Sequence, residues 1–162
     1  MEVFNARNAS SMMCEGTQQQ FNAMGIRSGV AQELTGPISS MAKLHDTQHT
    51  VILYFDSATG TAMGFLKYGR KDLFFYKKDG AIVQCSPVCL LDFYVDESLQ
   101  RRGVGSLLFR RMMEEVGGDA NPCDLAYDRP SPKLIGFMKK HFALAKPDLQ
   151  PNRFTIFEGF PL

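Results

Sequence analysis

The stretch from Cys89 to Gly105, CLLDFYVDESLQRRGVG, limits the fold more than any other part of the chain. Cys89–Val95 is apolar, with two aromatics and a β-branched end, which predicts a strand. A polar turn runs from Asp96 to Gln100, followed by Arg101, Arg102, Gly103, Val104 and Gly105. Beyond them Val104, Leu107, Leu108, Met112 and Val116 recur at helical spacing, which predicts a helix over 103–116. A strand therefore feeds a short glycine-containing loop that opens a helix. The first amides of a helix have no internal acceptors, and the helix dipole is positive at that end. Glycines let a phosphate come close to the backbone, and two arginines add charge, so the loop reads as a pyrophosphate site.

Two common phosphate motifs are excluded. No Gly-Lys-Ser/Thr follows the loop, so it is not a P-loop. Gly103 and Gly105 fit the first two glycines of the dinucleotide fingerprint, but Leu108 stands where the third belongs. The length of 162 residues suits a single domain spanning 1–162 with a real core. A net charge of +1 argues against an electrostatic grip on nucleic acid, so none is expected as a partner. No apolar run is long enough to span a bilayer, and no membrane partner is expected. The first residues, MEVFNAR, lack the basic-then-apolar pattern of a signal peptide, so residence in the cytoplasm is expected. Cys14, Cys85, Cys89 and Cys123 contain no Cys-x-x-Cys pair, which predicts neither disulfides nor a cysteine zinc site. His45 and His49 could share a helix face, but a zinc ion needs further ligands, so no metal is expected.

Along the rest of the chain, Glu2–Phe4 reads as a short strand. Residues 15–35 read as a helix that Gly25 and Gly29 soften or break. Gly36 and Pro37 stop it and start a short helix from Pro37 to Leu44. Strands are expected at Thr50–Phe55, Ala62–Tyr68, Leu73–Tyr76 and Ala81–Gln84, forming an antiparallel meander that ends in the strand at Cys89. After the helix of 103–116 comes a strand at Asp124–Tyr127, so a parallel βαβ crossover is expected. Ser131 is a good N-cap with Pro132 at the first helical position, opening a helix that reaches His141. Pro147–Asn152 reads as a loop and Phe154–Phe157 as a last strand. The order predicts a mixed α/β sheet.

The run from Gln100 to Gly105, QRRGVG, resembles the Q/R-x-x-G-x-G/A loop of the GNAT acetyltransferases. Residues 91–105, 128–133 and 154–160, together with 31–38, are similar to the α-tubulin N-acetyltransferases, and the likeness runs from about Gln18 to Phe160. The resemblance implies a GNAT fold: a mixed, mostly antiparallel sheet with flanking helices and a central βαβ unit that binds acetyl-CoA. It implies acetyl-CoA as donor, without a metal. It also implies a lysine of α-tubulin in the microtubule lumen as acceptor, with a place on the cytoskeleton and in cilia or flagella. The chain is expected to lack the long tail that some family members carry, since it stops at Leu162.

The resemblance also assigns residues. Asp128, Gln32 and Cys89 are the catalytic candidates. Asp128 acts as base or holds the incoming lysine while water takes its proton, and Gln32 orients substrate or water. No histidine adjoins Cys89 in sequence to activate it, so direct transfer through a tetrahedral intermediate is expected, with Cys89 auxiliary. Backbone groups of Phe93 and Val95 meet the pantetheine, and Arg101, Arg102, Gly103, Val104 and Gly105 hold the pyrophosphate. Ser131 and Lys133 reach the CoA as well, and Tyr94, Gln100, Ser106, Phe137 and Lys140 are further donor-binding candidates. Two other readings stay open: a GNAT that acetylates polyamines or protein N-termini, and a weakly active microtubule-binding module.

Overall fold

A computed structural model describes every residue of the chain, Met1–Leu162. The strands are β1 (Glu2–Asn5), β2 (Thr50–Phe55), β3 (Ala62–Arg70), β4 (Leu73–Tyr76), β5 (Ile82–Cys85), β6 (Val88–Val95), β7 (Ala126–Asp128), β8 (Pro147–Leu149) and β9 (Phe154–Phe157). The helices are α1 (Ala9–Met12), α2 (Glu15–Ala31), α3 (Met41–His45), α4 (Val104–Val116) and α5 (Pro132–Phe142). Two compact units are formed, residues 1–68 with 92–112, and residues 69–91 with 113–162. No helix is long and apolar enough to cross a membrane.

In the first unit, β1 pairs antiparallel with β2, and β2 with β3. Phe4, Phe21, Met24, Val51, Leu53 and Phe65 are buried in one cluster. Phe21 and Phe65 meet edge to face with centroids 5.3 Å apart, a geometry worth about 1 kcal/mol beyond its buried area. Helix α2 is continuous, which corrects the expectation that Gly25 and Gly29 soften or break it. Their role is close packing. A Cβ on Gly25 would stand 1.9 Å from the Ser39 carbonyl oxygen, and one on Gly29 would stand 3.2 Å from that of Gly36. The bare face of α2 thus lets the backbone of 36–39 lie against it.

That segment is not the helix expected from Pro37 to Leu44. The helix is shorter, Met41–His45, and Ser40 caps it by accepting from the Lys43 amide at 3.2 Å. The Ser39 hydroxyl is spent on a different partner, described below, and serine side chains that bond away from the helix favour the non-helical backbone. His45 ends α3, so His49 lies beyond the helix and shares no face with it.

In the second unit, β6 runs parallel to β7 with Cys89 opposite Ala126 and Leu90 opposite Tyr127. β9 is antiparallel to β7, and β8 to β9. The expected crossover is present, with β7 at Ala126–Asp128 rather than Asp124–Tyr127 because Pro122–Asp124 forms a 3-10 turn. β6 belongs to both units, its residues 88–91 to the second and 92–95 to the first. The seven main strands follow the order β1-β2-β3-β6-β7-β9-β8.

Two further expectations are corrected in this unit. β4 and β5 do not continue the meander; they form their own two-stranded sheet. Side-chain amides satisfy the β4 backbone instead: the Tyr76 amide donates to Gln150 Oε1 and Asn152 Nδ2 donates to the Phe74 carbonyl, both at 2.8 Å. Phe75 then packs on Phe160 in the core with centroids 5.1 Å apart. Residues 147–149, read as loop, are the exposed edge strand β8, where Pro147 costs no ladder bond.

The two kinds of helical glycine should separate cleanly. Gly25→Ala gains about 1 kcal/mol of helix propensity but must displace backbone, and a net loss of about 2 kcal/mol or more is expected. Gly16→Ala, with open space at its Cβ position, should gain about 0.5 kcal/mol. Urea denaturation of both variants measures this, and equal stabilities would contradict the close approach.

Candidate active site

The first unit holds Gln32 and the whole predicted donor loop. β6 leads into the loop, and residues Leu91–Val95 continue past the two-residue ladder with β7. The Asp96 amide donates to the Met63 carbonyl at 2.8 Å, fixing the loop's start to β3. The Asp96 carboxylate accepts from the Ser98 amide at 3.1 Å and hydroxyl at 2.7 Å. The Ser98 hydroxyl and amide, with a smaller push from Arg27 3.9 Å away, hold the Asp96 carboxyl below the usual carboxylate range. Gln100 Nε2 donates to the Val95 carbonyl at 3.0 Å, so this side chain braces its own loop.

Arg101 and Gly103 both take left-handed backbone, with φ of 62° and 83°. Two such residues within three positions bend the chain sharply into α4. The first helical bond is from the Leu107 amide to the Gly103 carbonyl at 3.0 Å. The amides of Val104 and Gly105 precede it, at the positive end of a 13-residue helix. Nothing lies within 4 Å of where a Cβ on Gly103 would stand, and Arg101, Arg102 and Gly103 are exposed. An open cradle of this kind fits a pyrophosphate. Ser106 lies in the first turn of α4 and is half-buried.

Phe93, Tyr94 and Val95 are half-buried. The Tyr94 ring packs against the Phe21–Phe65 core, and the Arg27 guanidinium lies 5.9 Å from its centroid. Tyr94 can therefore offer a ligand its backbone more readily than its ring.

Gln32 sits at the C-cap of α2. The Leu34 amide bonds the Gly29 carbonyl and the Glu33 amide that of Val30, with Glu33 left-handed at φ 55°. This is a Schellman ending. Gly25, Ser28, Gly29 and Gln32 share one helix face by their i, i+3, i+4, i+7 spacing. That face meets Asp92, a buried carboxylate on β6 that the sequence reading passed over. Asp92 Oδ1 accepts from the Ser28 hydroxyl at 2.7 Å, from Gln32 Nε2 at 2.9 Å and from the Phe93 amide at 2.9 Å. Asp92 Oδ2 accepts from the Ser39 hydroxyl at 2.5 Å, and Gln32 Nε2 also donates to Ser28 Oγ at 2.8 Å. Two signals for this cluster were present: a lone carboxylate in an apolar strand, and small and polar residues at helical spacing on α2.

The second unit holds the other candidates. Cys89 is fully buried, and its Sγ approaches the Pro87 carbonyl at 3.5 Å. Burial pushes its thiol up to about 12, with Lys71 opposing and Asp128 adding to the rise. Asp128 ends β7, partly buried, and its Oδ1 accepts from Arg129 Nε at 3.0 Å. Arg129 is left-handed at φ 42°, and its amide donates to the Arg153 carbonyl at 3.1 Å. Ser131 caps α5 as expected, accepting from the Leu134 amide at 3.2 Å, with Pro132 first in the helix. Lys133 and Lys140 are exposed on α5, and the Phe137 ring meets that of His141 in a tilted contact at 4.8 Å and that of Phe142 edge-on at 5.8 Å. All four cysteines are free thiols.

A family model described as GNAT acetyltransferase, Mec-17, matches residues 2–161. The chain is 48% identical over 115 residues to an alpha-tubulin N-acetyltransferase of Phytophthora infestans, covering 71% of this chain and 63% of that protein. It is 44% identical over 162 residues to one of Tetrahymena thermophila, covering 98% of this chain and 40% of that protein. The chain thus spans less than two thirds of the length of these relatives. Among solved structures, the xEco2 acetyltransferase domain bound to a CoA conjugate superposes with a TM-score of 0.63 at 8% identity, covering 98% of this chain and 91% of that one. At that identity the likeness concerns the fold.

The cysteines should differ in reactivity. At pH 7.5, iodoacetamide should label Cys14 first, because it is exposed and hydrogen bonding to Thr17 lowers its pKa. Cys89 should stay unlabelled until the chain unfolds. The neutral Cys89 thiol also gives stability that is full below the unfolded thiol value of about 8.5 and is lost as pH rises toward the folded value. Mass spectrometry of labelled peptides checks the order, and early labelling of Cys89 would contradict its burial.

Proposed function

The chain belongs to the Mec-17 family of GNAT acetyltransferases, and from that premise we propose that it acetylates a lysine of α-tubulin in the microtubule lumen, with acetyl-CoA as donor. The observation that carries the donor half is the loop at 96–105, where an open glycine, two exposed arginines and a helix start coincide. The acceptor is taken from what the relatives are named for, and residues 1–162 are taken to act as one catalytic domain.

In this reading the amides of Val104 and Gly105, with Arg101 and Arg102, hold the pyrophosphate, and Ser106 lines the same first turn. Backbone groups of Phe93, Tyr94 and Val95, beyond the β6–β7 ladder, bond the pantetheine. Lys133 stands in the first turn of α5, where the helix dipole disfavours a cation, so its place there is better explained by an anionic ligand than by helix stability. Phe137 and Lys140 lie on the same helix and are assigned to the nucleotide end of CoA. Ser131 holds the start of that helix and Gln100 braces the loop, so both act through backbone order.

The acceptor lysine must lose a proton before its nitrogen can attack. Asp128, with Oδ1 already tied to Arg129, offers its other oxygen to the ammonium, whose proton passes to that carboxylate or to water. The amine nitrogen then bonds the thioester carbon to give a tetrahedral intermediate; as the carbon–sulfur bond breaks, the second proton lost by that nitrogen passes, directly or through water, to the departing thiolate. Gln32 orients the amine. A buried Cys89 thiol held near 12 is protonated at neutral pH, which favours direct transfer over an acetyl-cysteine route.

Acetyl-CoA should raise the melting temperature by mass action, and Gly103→Glu should abolish the shift by placing a negative side chain in the cradle. With microtubules, acetyl-CoA and mass-spectrometric mapping, acetyl-lysine should appear on α-tubulin. Asp128→Asn should cut turnover by about 100-fold or more while leaving acetyl-CoA binding intact. A wild type that prefers spermidine or free amino termini to polymerised tubulin would overturn the acceptor, and an unshifted melting curve would overturn the donor.

A further inference from the structure

We propose that Asp92 and Ser28 are positioning residues that lock the Gln32 side-chain amide with its nitrogen inward and present its oxygen to the substrate amine. The proposal rests on the reading of Gln32 as the residue that orients that amine.

The hydrogen-bond arithmetic gives the orientation. Ser28 has one hydroxyl hydrogen, and it goes to Asp92 Oδ1 at 2.7 Å. Toward Gln32, Ser28 Oγ can then only accept. The Asp92 carboxylate accepts as well. Gln32 Nε2 faces both acceptors, Ser28 Oγ at 2.8 Å and Asp92 Oδ1 at 2.9 Å, so both of its hydrogens are used. Rotating the amide by half a turn would set its oxygen against two acceptors inside a buried site, where unpaired polar atoms are most costly. Oε1 is the polar atom left to work. It accepts hydrogen bonds and cannot donate them. Gln32 therefore holds an N–H of the incoming lysine and does not donate to the thioester oxyanion.

The network is rigid because its members are anchored separately. Ser28 and Ser39 are buried, as is Asp92. Ser39 is fixed by the packing of 36–39 on Gly25 and Gly29, and by Lys67 Nζ, which donates to the Ile38 carbonyl at 2.5 Å. Gln32 is fixed by the Schellman ending of α2. An amide that terminates a helix and would otherwise sweep several rotamers is thus confined to one. That confinement removes entropy that the substrate would have to supply on binding.

The test uses two readouts on the whole chain. In nitrogen-15 spectra of the protein alone, the Gln32 side-chain NH2 hydrogens should exchange with solvent much more slowly than those of an exposed glutamine, and Ser28→Ala should speed them. In acetylation of microtubules, Ser28→Ala should lower kcat/KM for tubulin by about tenfold, the loss of one hydrogen bond, with the KM for acetyl-CoA unchanged. Asp92→Asn, followed only if its melting curve shows a folded protein, should cost more. In a Gln32→Ala background, Ser28→Ala should cost nothing further, since a positioning residue acts only through the group it positions. Gln32 hydrogens that exchange like those of free glutamine would overturn the proposal. So would additive losses in the double variant, or wild-type turnover by Ser28→Ala beside a crippled Gln32→Ala. Wild-type turnover by Gln32→Ala itself would overturn the underlying role of Gln32, and this proposal with it.

Discussion

The buried carboxylate of Asp92 is the constraint on which the first unit depends. A charge removed from water is tolerated only where donors replace the lost hydration. Four donors from three separate segments do so here: Ser28 and Gln32 from α2, Ser39 from the segment before α3, and the adjacent Phe93 amide. Each of those segments must then stand where its donor reaches. The glycines at 25 and 29 follow from the same demand, since Ser39 can reach Asp92 only if its backbone lies against α2. Helix, loop and strand share one acceptor at this point.

The donor loop is built on the same economy of local bonds. Asp96 and Gln100 spend their side chains on the loop's own groups, which leaves the backbone past Arg101 to turn through two left-handed residues into α4. A loop closed by its own side chains can keep its outward face bare. In the proposed reaction that bare face receives the pyrophosphate without prior rearrangement, so less binding energy is lost to ordering it.

Much of this was legible in the sequence. The β6–loop–α4 unit announced itself because the residue pattern changes twice between Cys89 and Val116, from strand to turn to helix. The cap of α5 was legible because Ser131 followed by Pro132 and an apolar run suits a helix start. The failures share a cause, which is partners distant in sequence. Gly25 and Gly29 looked like helix breakers because propensity counts only the helix, while the reason for them is the backbone of 36–39. Residues 37–40 looked helical because the partner that draws Ser39 away lies 53 positions further along the chain. β4 looked like part of the main sheet because nothing local reveals that Gln150 and Asn152 satisfy its backbone. Asp92 was absorbed into an apolar run, although a single charge in such a run is itself a signal of partners.

Cys89 and Gln32 illustrate how burial divides chemical labour in opposite ways. Both are near-neutral polar groups at candidate positions. Cys89 lies fully buried, and the surroundings that could ionise it are outweighed: Lys71 lowers its pKa, but desolvation raises it more and Asp128 adds to the rise. Its thiol is thereby kept neutral. Gln32 is only partly buried, and its inner half is satisfied by groups that are themselves buried. Burial thus keeps the Cys89 thiol neutral, and in the proposed reading the buried acceptors aim Gln32. A carboxylate is well suited to the second task because it can only accept, and an acceptor behind an amide leaves no ambiguity about which end faces forward.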